Sequence, residues 1–129
     1  MKIAVLIARI LLGLVFVVFG FDKIVPFLHA PMPTGDAGSL IGLMYAHGWL
    51  KFYGVVETAG GLMLLFGRFV PLGLTLLAGM ITNILLFGIT LAPSGLAVPL
   101  VVGVLEAFLV YAYRASFAGI FASKAEPAA

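Results

Sequence analysis

Three ionisable residues interrupt apolar stretches of this chain: Arg9, Glu57 and Glu106. A charge near the bilayer centre costs about 2.5–3.5 kcal/mol on insertion scales, so each needs a partner or a purpose. Counted along helices, Arg9 and Glu106 come roughly 9 and 10 Å below one membrane face, and Glu57 comes roughly 9 Å below the other. Arg9 and Glu106, matched in depth, can neutralise each other as a structural ion pair that fixes helix register. A proton or ligand contact is the alternative for that pair. Glu57 has the neutral Asn83 at its level, and the long side chain of Lys23 can reach it from the end of the first stretch. With His47, Tyr53 and Trp49 as a roof, Glu57, Asn83 and Lys23 form an outward-side polar cluster suited to a ligand or a proton. The competing reading is a buried Glu–Lys or Glu–Asn contact that only holds helices together. The residues alone do not choose between a charged Glu57 and a neutral one.

The elements that position these groups follow from composition. The chain has 129 residues, of which 64% are hydrophobic and 9% charged, and its mean hydropathy is +1.26. A water-soluble domain needs far more polar surface to cover its core. A span takes about 20 mostly apolar residues. Four stretches qualify, at about residues 3–21, 51–66, 71–91 and 96–113. The first could mimic a signal peptide, but it outlasts such a segment, Arg9 interrupts it and no small-residue cleavage pattern follows. Residues 67–71 and 92–95 are tight breaks, with Pro71 suited to a first helical turn. Short links imply antiparallel neighbours. The link between the first two stretches is longer and proline-rich, and residues 39–49 in it read as a short interfacial helix with Leu40, Leu43, Met44 and His47 at helical spacing. The fold expected is an all-α membrane protein: a four-transmembrane-helix antiparallel bundle over residues 1–114, with a short extra helix in the first, outer loop. Residues 115–129 read as a frayed cytoplasmic tail.

Glycines recur seven residues apart, as Gly13 and Gly20, Gly54 and Gly61, and Gly60 and Gly67. Small residues on one helical face let helices approach closely in lipid. The glycine faces left over leave room for a homodimer. Lys2, Arg68, Arg114 and Lys124 fall on one side and Lys23 and Lys51 on the other. The excess puts both termini in the cytoplasm, for a multi-pass protein of the cytoplasmic (inner) membrane.

Several chemistries are excluded. With no cysteine, the chain holds no disulfide, thiolate zinc or iron–sulfur site. His29 and His47, with Asp36 between them, match no metal pattern. Seven scattered Lys and Arg against five Asp and Glu give no nucleic-acid surface. Phenylalanines such as Phe19, Phe52, Phe66 or Phe87 are lipid-facing filling, or else line a pocket for a flat apolar ligand.

The patterns Arg9-Ile-Leu-Leu-Gly13 with Gly20 and Lys23, Glu57-x-x-Gly60-Gly61 with Leu65 and Gly67, and Arg68-Phe-Val-Pro71-Leu follow one another in a fixed order. Together with Asn83-Ile-Leu-Leu-Phe87, Leu105-Glu106 and Tyr113-Arg114, and with Pro31-Met32-Pro33 before the short helix, they resemble the DoxX family of small bacterial four-helix membrane proteins over most of residues 3–114. The resemblance implies a redox or quinone association, because the name-giving relatives are linked to a membrane thiosulfate:quinone oxidoreductase and others to oxidative-stress complexes. The chain lacks the glycine-rich ending of many members and has no cofactor motif of its own. A redox role therefore calls for a bound quinone or partner subunits.

Three functions follow as expectations. The first is binding of a quinone-like or other small amphipathic molecule at Glu57, Asn83, Lys23, His47 and Tyr53, as an accessory subunit of a redox complex rather than an enzyme alone. The second is a structural or assembly subunit. The third is a small proton-coupled transporter that uses Glu57 and Glu106 in turn.

Overall fold

Apolar runs whose only prolines fall in a first turn give helices, since a proline there removes no intrahelical hydrogen bond. The computed structural model describes residues 1–128, and these hold five α-helices and no strand. They are α1 (Lys2–Ile24), α2 (Gly35–Ala46), α3 (Trp49–Phe66), α4 (Val70–Leu91) and α5 (Ala97–Ala112). Pro71 sits in the first turn of α4 and Pro99 in that of α5. α1 and α4 are each long and apolar enough to cross a membrane by length and composition, while α5 is apolar but has 16 residues.

The turns have identifiable causes. α1 ends where Asp22 Oδ1 accepts the N–H groups of Phe27 and Leu28, both at 2.8 Å, which folds the chain back over the helix end. α3 ends at Gly67, whose φ of +67° suits glycine. There the Gly67 N–H donates to the Leu64 carbonyl and the Arg68 N–H to that of Met63, so two end carbonyls are satisfied. Gly48, at φ +80°, turns α2 into α3. A short 3-10 turn over Pro93–Gly95 joins α4 to α5.

α1 packs most extensively on α3, α3 on α4 and α4 on α5, and a smaller α5–α1 contact closes the circuit. The α1–α3 seam is made by the glycines at heptad spacing. A Cβ on Gly61 would lie 2.8 Å from the Gly13 carbonyl oxygen, and one on Gly54 would lie 2.5 Å from that of Gly20. Seven residues up α1 thus match seven down α3, and the two backbones touch directly. Gly60 and Gly73 do the same, less tightly, between α3 and α4. The interior is filled by Leu12, Phe16, Leu64, Leu74, Leu77, Ile81, Val102 and Leu109.

The outer surface is apolar. Ile3, Ile7, Leu14, Val55, Leu86, Ile89, Val101 and Val104 are all exposed. In water such a surface would aggregate, whereas in lipid it is solvated.

Two expectations are corrected. The short helix spans Gly35–Ala46 rather than residues 39–49, because Gly48 breaks the chain and Trp49 opens α3. The stretch after α5 is not wholly frayed: a 3-10 turn over Arg114–Phe117 folds Phe117 into the core at 6% exposure.

Candidate functional site

The close α1–α3 crossing determines where Lys23 goes. Gly20 rests against Glu57 and Thr58, and the Lys23 stem lies over Gly54. With no Cβ on Gly54 to hold it off, the Lys23 side chain runs along α3 and its Nζ donates to Glu57 Oε2 at 2.8 Å. Glu57 is 1% exposed and Lys23 26%. The ammonium keeps further N–H donors that no protein group takes among the described residues.

This pair stands between two cavities. One, of about 310 Å³, lies under α2 and is lined by Lys23, Glu57, Tyr53 and Asn83 with apolar walls from Leu40, Ile41, Met44, Leu50, Ile84 and Phe87. The other, of about 220 Å³, lies toward α5 and is bounded by Phe16, Phe19, Val98, Pro99 and Val102, with Lys23, Glu57 and Ile84 shared. The first cavity therefore has a polar floor and a largely apolar wall, the usual make-up of a small-molecule site. Asn83 donates its Nδ2 to the Gly79 carbonyl at 3.0 Å within α4, which orients the amide. Leu40, Ile41 and Met44 supply the α2 wall, whereas Leu43 is 61% exposed.

The sequence-predicted residues do not all converge. Lys23, Glu57, Asn83 and Tyr53 line one cavity. His47 does not: it is exposed at the end of α2 and lines a neighbouring groove with Trp49, Phe52 and Tyr53. The break at Gly48 carries it out of the α2 face. Of the four phenylalanines, Phe87 lines the cavity, Phe19 lines the one toward α5, Phe52 lines the groove, and Phe66 is 74% exposed. Leu50 and Ile84 also line it; they carry only apolar character and give no signal of a site in the sequence.

The expected Arg9–Glu106 ion pair does not form. Both Glu106 carboxyl oxygens and Arg9 Nε are buried without a hydrogen-bond partner, and the ion pair found among the described residues is Lys23–Glu57. Equal depth placed Arg9 and Glu106 at one level but not face to face. α1 lies chiefly on α3, and the Arg9 guanidinium turns to the α3–α4 link, where it covers the bare Cα of Gly67. No group of three or more metal-ligating side chains occurs among the described residues.

A family model, DoxX, matches residues 4–89. The chain belongs to the DoxX family. The match makes it a membrane protein, in keeping with its apolar surface and with α1 and α4. The DoxX match takes in Lys23, Glu57 and Asn83 and ends within α4, so α5 and Glu106 lie beyond it. No curated protein and no solved structure matches this DoxX chain.

Proposed function

We propose that this DoxX protein is a four-transmembrane-helix antiparallel bundle of the cytoplasmic membrane, with both termini cytoplasmic. In this reading, α1, α3, α4 and α5 cross and α2 lies at the outer face. Its cavity under α2 binds a small amphipathic, quinone-like molecule, and the protein serves as an accessory subunit of a membrane redox complex. The observation that carries the reading is the Lys23–Glu57 pair at the floor of a cavity whose walls are apolar.

A quinone head has two carbonyl acceptors on a flat apolar ring. The free N–H donors of Lys23 and the hydroxyl of Tyr53 suit the carbonyls, and Phe87 with Met44 suits the ring. The volume, about 310 Å³, lies at the lower end of the range for such sites. Glu57 holds the ammonium in place and keeps its charge compensated. A bound quinone would supply the electron-acceptor chemistry that the chain's own side chains lack.

Trp49 is the chain's one tryptophan, and it lines the groove that shares Tyr53 with the cavity. Quinones quench indole fluorescence, so a short-tailed naphthoquinone titrated into the purified protein reads the site directly. Saturable quenching is expected, weakened about tenfold by Tyr53→Phe or by filling the cavity with Met44→Trp read through quinone absorbance; a tenfold change corresponds to about 1.4 kcal/mol. Quenching that never saturates, or a quinone affinity that both variants leave unchanged, rules the quinone reading out.

A further inference from the structure

The start of α1 and the end of α5 enclose a third cavity, about 710 Å³ and open to the outside. From Lys23 to Arg9 is about 21 Å along α1, so this cavity lies at the other end of the molecule from the Lys23–Glu57 pair. Lys2, Arg9 and Arg114 line it, and no carboxylate does. None of the three forms an ion pair among the described residues. Arg9 Nε is buried without a partner. Arg114 is held in place: its Nη1 donates to the Tyr111 carbonyl at 2.9 Å and its guanidinium stacks 4.3 Å over the Tyr111 ring. A stacked guanidinium keeps its remaining N–H donors available for an oxyanion. The rest of the lining includes Val5 and Leu6, and Leu6 continues into the exposed apolar face of α1 with Ile3, Ile7 and Ile10.

We propose that this cavity binds an anionic phospholipid. Its phosphate meets Arg9, Lys2 and Arg114, and an acyl chain follows the Leu6 face of α1 into the membrane. Three uncompensated cations converging on one open space call for an anion. A membrane protein meets its phosphates at the level of the headgroups, where basic pockets between helices recognise anionic lipids. A free phosphate would satisfy the cations but leave Val5 and Leu6 uncovered, so the lipid fits the whole lining. Arg9 accordingly has a partner outside the chain in place of Glu106. The assignment is independent of the quinone reading at the opposite end.

The test is native mass spectrometry of the full chain released from mixed micelles of phosphatidylglycerol and phosphatidylcholine. Phosphatidylglycerol is expected to be retained in preference, with the preference falling about fivefold for each cation removed. Lys2→Gln and Arg114→Gln change exposed side chains and decide the matter. Arg9→Gln is a further arm, read only if its helical circular dichroism matches the parent's. Equal retention of the two lipids, or an unchanged preference in Lys2→Gln/Arg114→Gln, overturns the proposal. So does loss of the lipid to millimolar inorganic phosphate, which would make this a free-anion site.

Discussion

Lys23 Nζ meets Glu57 Oε2 at 2.8 Å across the α1–α3 seam, and the pair forms the partition between two cavities. Its members are unequally placed. Glu57 is 1% exposed and depends on the ammonium, whereas Lys23, at 26%, can turn toward solvent. Lys23→Met should therefore cost on the order of 3 kcal/mol, because it strands a buried carboxylate. Glu57→Gln should cost less, about 1 kcal/mol. The double variant should recover most of the loss, with a coupling of about 1–3 kcal/mol. Melting temperatures of the four proteins in one detergent check this; strictly additive losses would mean that the contact carries no energy.

Backbone contact at the α1–α3 seam leaves no space for a methyl group. A Cβ on Gly61 would come 2.8 Å from the Gly13 carbonyl oxygen, and backbone cannot move aside as a side-chain tip can. Gly61→Ala should destabilise by about 1–3 kcal/mol and push α1 off α3. The control is Gly42→Ala in α2, where nothing lies within 4 Å of the added carbon. That change should be neutral or stabilising by up to about 1 kcal/mol, the helix preference of alanine over glycine. Equal effects at the two sites, measured by thermal melting, would show that the seam is not tight.

Phe117 should matter more than its position near the end of the chain suggests. It is 6% exposed against the α5 end of the core, whereas Phe121 is 76% exposed. Phe117→Ala should cost about 3–5 kcal/mol through lost burial and the cavity left behind. Phe121→Ala should leave the melting temperature unchanged. If both were silent, the turn over Arg114–Phe117 would not belong to the folded core.

What could be read in advance depended on whether a requirement was local. The seam was legible because close packing in lipid asks for glycine on one face, and a seven-residue spacing shows that face directly in Gly13 with Gly20 and in Gly54 with Gly61. Lys23 was within reach of Glu57 because a long side chain tolerates error in placement. The polar floor of the cavity was legible for the same reason, while its apolar wall was not: Leu50 and Ile84 look like any other hydrophobic residue. Depth along a helix fixes one coordinate and leaves rotation open, which is why Arg9 and Glu106 matched in depth without meeting. His47 was misplaced by a boundary, since one glycine in the left-handed region at Gly48 ended α2 before the predicted face was complete. Phe117 and Phe121 both stand in a short stretch of small and polar residues, and nothing in that stretch shows which of the two is buried.

The absence of an Arg9–Glu106 pair reverses the expected roles of the two buried glutamates. Glu57, expected to have only the neutral Asn83 at its own level, is ion-paired with Lys23, and Glu106, expected to pair with Arg9, is 6% exposed and has no partner among the described residues. A buried polar group without a partner costs stability that an apolar side chain of similar size does not. Glu106→Leu should therefore stabilise the protein by about 1–3 kcal/mol. Were Glu106 held in an ion pair with Arg9, the same change would strand a buried guanidinium and destabilise by about 3–5 kcal/mol. The sign of the shift in melting temperature separates the two arrangements. A stabilising result would also mark Glu106 as a group kept at a cost to the fold, and so the residue whose removal is best followed by assays of uptake as well as of stability.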